Sequence, residues 1–469
     1  MTDKRTWIRT AIASVVVSLS VLPALAAQAT RYEVGPGRAL AAIGDVPWEN
    51  LDPGDEVLIH WRAEPYREKW VICRRGTAER PIHVRGIPGP DGRLPVIDGR
   101  DATTRPALNF WGEERGVIKI GGANRPADTM PAHLVLENLE VRSGRPPFGF
   151  EGRRGRTAYA KNAASIFVEK GEAITIRHCI LHDSGNGLFV SPLSRNILVQ
   201  NCHIHSNGIE GSLYEHNSYT QADGIVFEGN LYGPLRSDCR GNNLKDRSAG
   251  LIVRYNWIDG GNRALDLVDA AAAPALSSQT AYRETYVYGN VLIKRDGGNN
   301  QVVHYGGDSN RPDFYRKGTL HFYNNTVVSH RRRTTTLFRM STDDESVACY
   351  NNVVYAAAGG RWLALMTQQG TLHLHRNWLP TDWRTTHSTF SGTIRGQEHV
   401  IAGQTPGFVD FEAEDFRLLP SSPCRRAGRE LPPPIRTRFP VVRQYIPHHQ
   451  TQPRNTVLDL GAFERIDSK

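Results

Sequence analysis

The sequence predicts an all-β solenoid, in which the chain is wound into stacked coils of short strands. A phrase of alternating apolar residues followed by Asn recurs at steps of roughly 23–35 residues, a period typical of solenoids. The alternation has a period of two, which indicates strands rather than helices. Each unit is too short to bury its own apolar face, so neighbouring units have to stack.

The recurring Asn stands at one fixed point of each unit. It first takes this place in Phe227-Glu-Gly-Asn230, and it returns in later units at Asn256, Asn290, Asn325, Asn352 and Asn377. We expect these residues at turns, because Asn tolerates the left-handed backbone conformation. Stacked in register, their side-chain amides are expected to hydrogen-bond to the coils above and below.

Cysteine usage does not indicate a redox or zinc site. The six Cys are irregularly spaced and form no CxxC pair. Cys179 and Cys202 occupy the same place in adjacent coils, and the strand spacing of about 4.8 Å lies within disulfide range. Buried thiols can also stack as small apolar residues, and this is the arrangement that we favour.

Residues 1–29 have the pattern of a secretory signal peptide. Lys4, Arg5 and Arg9 precede an apolar stretch over 11–25, and Ala27-Gln28-Ala29 fits the cleavage pattern; an uncleaved anchor is the alternative. We therefore expect a secreted or periplasmic protein without stable membrane insertion after cleavage. Residues 30–469 are expected to form a single domain with an N-terminal cap and a C-terminal extension rich in Pro and Arg.

The charge points to an anionic partner. The formal net charge is +9, and only nine of the 57 basic residues are Lys. Arg binds carboxylate and sulfate with a planar fork, so an acidic polysaccharide is the expected partner, with a solvated basic surface as the alternative. No basic cluster interleaved with aromatic residues occurs, so nucleic acid is not expected. We expect a monomer.

Several phrases resemble the right-handed parallel β-helix of the pectate-lyase-like superfamily. They are Leu51-Asp-Pro-Gly-Asp-Glu-Val-Leu-Ile59 and Val96-Ile-Asp-Gly99 near the start, and Asp415-Phe-Arg-Leu and Leu460-Gly-Ala-Phe463 near the end. The resemblance covers roughly residues 31–463. It implies a right-handed parallel β-helix and a polysaccharide lyase, a class that commonly uses Lys or Arg as base, often with calcium.

A second strand of each coil can be aligned across coils. Its rows are Ile166-Phe-Val-Glu169, Leu188-Phe-Val-Ser191, Leu213-Tyr-Glu-His216, Leu244-Lys-Asp-Arg247 and Leu265-Asp-Leu-Val268. If the first apolar residue of each row points inward, side-chain alternation predicts an outward column. Its members are Phe167, Phe189, Tyr214, Lys245 and Asp266, with Glu169, Ser191, His216 and Arg247 beside them. This phase sends Glu215 and Asp246 inward, where each carboxylate needs a partner unless the strand bulges.

These residues suit β-elimination on a uronate-containing polysaccharide. Arg247 is expected to clamp the uronate carboxylate, and Lys245, with a pKa lowered by cationic neighbours, to take the C5 proton. His216 or Tyr219 would return a proton to the leaving oxygen. The candidate substrate-binding residues are Tyr214, Asn217, Arg263 and Phe189. Asp266 and Asp269 either hold calcium or form ion pairs with Lys245 and Arg263.

Other functions remain open at this level. A β-helix can serve as a non-catalytic scaffold for glycan binding or surface interaction, and a uronate epimerase shares the proton-abstraction step. A ledge of His182, His203 and His205 could bind a transition metal or be a surface ladder of stacked rings.

Overall fold

The computed structural model describes residues 28–455 and 458–464. Of the expected signal peptide over 1–29, residues 1–27 lie outside the described residues. Within these ranges, no helix combines the length and the apolar character that crossing a bilayer requires.

The chain folds into the predicted right-handed parallel β-helix, whose strands stack in register on three faces. The first face contains Arg31–Val34, Glu56–His60, Ile82–Ile87, Ala132–Glu137, Asp223–Glu228, Ala249–Arg254, Glu284–Tyr288, Gly318–Tyr323, Glu345–Tyr350, Thr371–His375 and Thr393–Arg395. The second face contains Val96–Asp98, Glu140–Arg142, Ile180–His182, His203–His205, Leu231–Tyr232, Trp257–Asp259, Val291–Lys294, Thr326–Ser329, Val353–Ala356, Trp378–Pro380 and Ile401–Gly403.

The third face is the one that carries the polar groove described below. It contains Glu68–Ile72, Gly116–Ile120, Ser218–Thr220, Leu244–Asp246, Leu265–Leu267, Gln301–Tyr305, Thr335–Met340 and Leu363–Gln368. Two long strands, Ala164–Arg177 and Asn186–Gln200, run from the third face into the first. The first and third faces therefore belong to one continuous sheet.

Short elements decorate these faces. Antiparallel pairs join Asn109–Phe110 to Ala123–Arg125, Gly149–Gly152 to Gly155–Ala158, Phe408–Asp410 to Asp415–Leu418, and Arg443–Ile446 to Gln450–Pro453, while Ala102–Thr104 pairs with Glu68–Ile72. The α-helices are Pro274–Ser277 and Pro433–Arg438. Single 3-10 turns lie at Ile43–Asp45, Glu113–Arg115, Thr280–Arg283, Pro312–Phe314, Gly360–Trp362 and Gln397–His399.

The recurring Asn residues form the predicted ladder at the corner between the first and second faces. From Asn230 to Asn352, each side-chain amide donates to the amide oxygen one coil further on, at 2.9 Å from Asn256 to Asn290 and 3.0 Å from Asn290 to Asn325. The left-handed backbone conformation that was predicted for the Asn residues occurs instead at the residue before each of them, for example at Tyr255 with φ 57°. The ladder side chains point inward and are fully buried, so each amide needs these hydrogen bonds.

The ladder position changes to Cys in the earlier coils. Cys179 and Cys202 follow left-handed residues in adjacent coils, as the Asn residues do, and both are buried free thiols. The Asn ladder continues to Cys202 through the backbone, because the backbone N–H of Cys202 donates to the side-chain amide oxygen of Asn230 at 2.9 Å. The two thiols thus continue the inward column with small apolar side chains.

The Pro- and Arg-rich stretch after residue 425 packs against the outside of the first face. Tyr255 and Tyr323 project outward from that face, and their hydroxyls donate to Pro440 O at 3.2 Å and Phe439 O at 2.8 Å. Ile435 packs against the same aromatic cluster. The extension therefore covers a row of Tyr rings that the coils alone would leave exposed to water.

Candidate functional site on the third face

An outward column of side chains, aromatic at its start and charged further along, follows the strands of the third face. Pairing places Phe189 opposite Tyr219, Tyr219 opposite Lys245, Lys245 opposite Asp266, and Asp266 opposite His304. Phe167 precedes this run and Arg339 continues it. The prediction was right for Phe167, Phe189, Lys245 and Asp266. Tyr219 stands where Tyr214 was expected, and His304 extends the column by one coil.

The error at Tyr214 arises because a polar residue takes an inward position. Ser218 occupies the inward place that the prediction gave to Leu213, and its hydroxyl is satisfied by Tyr232 Oη at 2.9 Å. Leu213 and Tyr214 instead lie in the loop before this strand. The Tyr214 side chain is 79% exposed and stands at the lip of the groove.

The inward carboxylate that the sequence left unexplained has a full set of partners. Asp246 is completely buried and pairs with Arg316 at 3.1 Å, while Thr220 and Ser248 donate to it at 2.7 and 2.8 Å. Glu215, the other predicted inward carboxylate, lies in the loop and lines the groove.

Lys245 and Arg247 converge on one carboxylate at the centre of the groove. The Lys245 amine lies 2.6 Å from Asp308 Oδ2 and 2.6 Å from Asp266 Oδ2. The Arg247 guanidinium donates to both oxygens of Asp308, at 2.8 and 3.1 Å. The prediction surrounded Lys245 with cations, but the groups that contact its amine are two carboxylates, Asp266 and Asp308. Asp308 is one-third exposed and is reached by solvent from the groove.

Asp266 is the most heavily bonded carboxylate of the groove. Burial opposes its charge, but Lys245, His304 and Arg263 offset this and hold the pKa of Asp266 well below its usual range. Asn242 Nδ2 donates to the same group at 2.9 Å, and His304 Nδ1 lies 2.9 Å from Oδ1. The group is an anion whose lone pairs point at protein donors.

The predicted calcium site does not fit these residues. Both oxygens of Asp266 already face cationic or N–H donors. Asp269 accepts the backbone N–H groups of Asp308 at 2.7 Å and Ser309 at 3.2 Å, and a guanidinium nitrogen of Arg247 lies 3.8 Å from it. Calcium needs several oxygens aimed at one point, so these two carboxylates are poor ligands and the ion-pair alternative holds for Asp266.

His216 has a defined tautomer. Its Nδ1 accepts the backbone N–H of Asn242 at 2.9 Å, so in the neutral ring the proton sits on Nε2. Burial, and next the charge of Lys245, lower the pKa of His216 to about 3. A neutral ring offers its Nε2–H as a hydrogen-bond donor, so of the two predicted acids, His216 and Tyr219, this environment favours Tyr219.

Tyr219 is held between an aromatic and a cationic neighbour. Its ring packs edge-on against Phe189 at 5.0 Å and against His216 at 5.6 Å, which confirms that Phe189 belongs to the same wall. Arg247 Nε donates to the Tyr219 hydroxyl at 3.0 Å. Because that hydroxyl accepts a charged hydrogen bond, its own proton is free to be donated toward the groove.

Of two predicted substrate-binding residues, Arg263 lines the groove and Asn217 is buried beneath it. Arg263 lines the groove and donates to Asp266 at 3.3 Å and to Gln301 at 2.9 Å; burial lowers its pKa. Asn217 is fully buried and its amide is used internally, because it donates to Gly233 O at 2.9 Å and accepts from Asn207 at 3.0 Å. Asn217 therefore shapes the turn before the strand and does not reach a substrate.

The groove as a whole is large and cationic. It has a volume of about 1010 Å³, and its lining includes six basic side chains, Lys161, Lys245, Arg247, Arg263, Arg311 and Arg339, against three carboxylates, Glu215, Asp266 and Asp308. An excess of positive charge in a concave site favours an anionic ligand.

Three residues of the groove were not predicted from the sequence: Asp308, His304 and Asn242. His304 could have been found by extending the aligned rows one coil further, to Val303-His304-Tyr305. Asp308 lies on a loop that bends back over the groove, and no periodicity of the sequence reports where such a loop turns.

The His ledge on the second face is a stack of imidazole rings. His182 and His205 lie 5.1 Å apart and nearly parallel, and His203 and His205 lie 4.1 Å apart. Burial lowers the pKa of His203 to about 3 and that of His205 to about 4. Throughout residues 28–455 and 458–464, no three His, Cys, Asp or Glu side chains are grouped as a metal would require.

Together these features define a right-handed parallel β-helix protein with a cationic groove on its third face. No family model and no curated protein matches the chain. Among solved structures it is similar to a pectate lyase at 13% identity and a TM-score of 0.43, covering 93% of this chain and 97% of that one.

Two further solved structures are similar to this chain. An alginate lyase from Paenibacillus sp. str. FPU-7 is 12% identical with a TM-score of 0.43, covering 75% of this chain and 94% of that one. A lacto-N-biosidase from Eubacterium ramulus is 11% identical with a TM-score of 0.45, covering 80% and 68%. Such low identities give no ground for transferring an activity, so the function below is argued from the side chains of the groove.

Proposed function

We propose that the protein is an exported enzyme that cleaves an acidic, uronate-containing polysaccharide by β-elimination at the groove of the third face. The observation that carries the proposal is the position of Asp308. Both oxygens of its carboxylate accept hydrogen bonds from Arg247, and one of them also forms an ion pair with Lys245. Asp308 lies on a loop rather than on a strand. A substrate carboxylate of the same geometry can take its place.

Arg247 supplies the carboxylate clamp. Its guanidinium is held on the side away from the groove, because Nε donates to the Tyr219 hydroxyl and Nη1 donates to the backbone oxygen of Asp269. Nη2 faces the groove and donates to Asp308. Neutralising a uronate carboxylate in this way makes the C5 proton more acidic, which is the first requirement of β-elimination.

Lys245 is the proposed base. Lys245 is paired with Asp308 and Asp266, so its ammonium must first release one proton to water before it can act as a base. Displacement of Asp308 by the substrate carboxylate removes one of the two ion-pair partners that oppose this release, and the neutral amine then takes the C5 proton. Asp266 remains to orient the amine at 2.6 Å. Removal of the C5 proton then builds negative charge next to Arg247, which stabilises it electrostatically.

Tyr219 is the proposed acid and His216 a positioning group. The Tyr219 hydroxyl proton is available to the leaving glycosidic oxygen, since the oxygen of that hydroxyl is held by Arg247. The His216 Nε2–H can donate to a sugar hydroxyl and fix the ring, but the His216 imidazole carries no second proton at neutral pH. The stretch from Phe189 to Arg339 along the column gives room for several sugar units.

The test is incubation of the purified protein with a panel of uronate polysaccharides. We expect ultraviolet absorbance to rise as the conjugated double bond forms, and we expect the Lys245→Ala variant to lose at least about 100-fold in rate, the range of one acid–base group. Lys161→Ala, which removes an exposed amine at the edge of the groove, is the matched control and should keep most of the activity.

The same incubation separates the alternative functions. An inverted C5 configuration in the recovered polymer, seen by proton NMR without a rise in absorbance, would indicate an epimerase. Retained binding with neither change would indicate a glycan-binding scaffold. Either outcome contradicts the lyase proposal.

A further inference from the structure

Three side chains form a hydrogen-bonded chain beside the groove, and the elimination proposed above does not need two of them. His304 Nδ1 lies 2.9 Å from Asp266 Oδ1, and His304 Nε2 lies 3.0 Å from Ser341 Oγ. The residues come from successive coils, because Asp266 pairs with His304 and His304 pairs with Arg339, two positions before Ser341.

The direction of these hydrogen bonds follows from the charge of Asp266. Because Asp266 is an anion and can only accept, the proton of the neutral His304 ring is on Nδ1. Nε2 then carries a lone pair. The single proton of the Ser341 hydroxyl has two acceptors within reach, His304 Nε2 at 3.0 Å and Gly307 O at 3.2 Å, and the hydroxyl is activated when the proton is directed to Nε2. This is the arrangement in which an imidazole activates a serine hydroxyl, with a carboxylate fixing the tautomer.

Ser341 is placed where a substrate can reach it. The residue is half-buried and lines a depression of about 440 Å³ together with Gly307, Tyr315, Arg339 and Gln368. Its Oγ is also held by Gly307, whose N–H lies 3.1 Å away and whose carbonyl oxygen lies 3.2 Å away. These contacts fix the rotamer of Ser341 with its oxygen between the depression and His304.

Arg339 provides a cation next to the hydroxyl. Its Nε donates to Gln368 Oε1 at 2.9 Å, which holds the guanidinium at the edge that the depression shares with the groove. An anionic oxygen formed on a carbonyl beside Ser341 would lie next to this positive charge. Fixed charge of this kind is the main requirement for stabilising a tetrahedral intermediate.

We propose that Ser341, His304 and Asp266 form a second catalytic site, a serine hydrolase that removes short O-acyl esters from sugar hydroxyls. Ser341 Oγ bonds to the ester carbonyl carbon while His304 Nε2 takes the hydroxyl proton. The carbon–oxygen bond to the sugar then breaks, and His304 returns that proton to the sugar oxygen. Water, with His304 again as base, hydrolyses the acyl-serine to the free acid and regenerates Ser341.

The depression has room for the proposed substrate. Its volume of about 440 Å³ accommodates a short acyl group such as acetyl together with part of the sugar that carries it, with the rest of the sugar lying toward the groove. Burial lowers the pKa of His304 to about 4, so the imidazole is neutral at pH 7 but is a weak base. We therefore expect slow turnover over a broad pH range.

The test is covalent labelling of the full chain with a fluorophosphonate probe, followed by intact-mass measurement and peptide mapping. We expect one adduct, on Ser341, which is absent in Ser341→Ala and forms at least about 100-fold more slowly in His304→Gln. Ser237→Ala removes an exposed serine outside both the groove and the depression and should label like the parent.

Acetate release from an O-acetylated uronan is the second readout and should follow the labelling. Circular dichroism of each variant shows whether it is folded. No adduct on the folded parent, an adduct on a different serine, or acetate release that persists in Ser341→Ala would overturn the proposal. Because these readouts do not involve the unsaturated product, the proposal fails or stands separately from the elimination at Lys245.

Discussion

Asp308 is the residue on which the chemistry of the groove depends. It forms ion pairs with Lys245 and Arg247 in the free protein. Burial alone would raise the pKa of Asp308, but the charges of these two cations outweigh burial and lower it. A group that competes with the substrate for the same two cations should limit affinity. We therefore expect Asp308 to compete with the carboxylate of a bound uronate for Lys245 and Arg247.

Replacing Asp308 by Ala should strengthen the binding of a uronate oligosaccharide. Removal of a partly exposed ion-pair partner is worth about 1 kcal/mol, so we expect the Kd to fall about fivefold. Isothermal titration calorimetry measures this change. Asp313→Ala, an exposed carboxylate on the same loop outside the groove, should leave the Kd unchanged, and weaker binding by Asp308→Ala would contradict the competition.

A second residue-scale prediction concerns the buried pair beneath the groove. Both side chains of Asp246 and Arg316 are inaccessible to water, so Asp246→Ala leaves an unpaired buried guanidinium. We expect the free energy of unfolding to fall by about 3–5 kcal/mol, measured by urea denaturation. The double variant Asp246→Leu with Arg316→Met should recover most of this loss; a single variant that loses less than about 1 kcal/mol would be inconsistent with it.

At the scale of the element, the corner ladder is the feature that joins the coils. Asn290 donates to Asn325 at 3.0 Å and to Val253 O at 2.9 Å, and it accepts from Asn256 at 2.9 Å. Removing this amide leaves buried partners on both sides without a hydrogen bond. The ladder thus couples each coil to its neighbours through polar groups as well as through apolar packing.

Asn290→Ala should lower the free energy of unfolding by about 1–3 kcal/mol, the cost of leaving buried polar groups unpaired. Asn124→Ala, at an exposed position away from the ladder, should change it by less than about 0.5 kcal/mol. Thermal unfolding followed by calorimetry compares the two variants. Equal effects would mean that the ladder does not stabilise the stack.

The register of the strands could be predicted from the sequence more fully than the composition of the groove. Alternating apolar residues and the repeated Asn fix the register of the first face, because an inward Asn has one place where its amide is satisfied. The third face is harder, since Ser218 takes an inward position that hydrophobicity assigned to Leu213. Loop residues such as Asp308 are placed by tertiary contacts alone, so the sequence predicted Asp266 beside Lys245 but not Asp308.

At the scale of the whole molecule, buried neutral histidines link stability to pH. The pKa of His216 is about 3 and that of His304 about 4, both lowered first by burial. In the unfolded chain a histidine has a pKa of about 6.5, so below that pH the unfolded state binds more protons. Folded-state stability must therefore fall as the pH drops from about 6.5 toward 4.

For each of these two histidines, the free energy of unfolding should fall by about 1.4 kcal/mol for every unit by which the pH drops within that window. Urea denaturation at several pH values between 7 and 4.5 measures the slope. His304→Gln should reduce the slope by the share of one proton, whereas the exposed-site variant Asn124→Ala should keep it. A slope that is the same in His304→Gln would show that His304 is not neutral in the folded protein.

The most direct test of the groove is a crystal structure of the Lys245→Ala variant with a uronate trisaccharide. We predict a sugar carboxylate within hydrogen-bond distance of the Arg247 guanidinium, with Asp308 displaced from it and the Tyr219 hydroxyl facing a glycosidic oxygen. A trisaccharide bound elsewhere, or a carboxylate that leaves the Arg247–Asp308 pair intact, would contradict the assignment of this groove to uronate elimination.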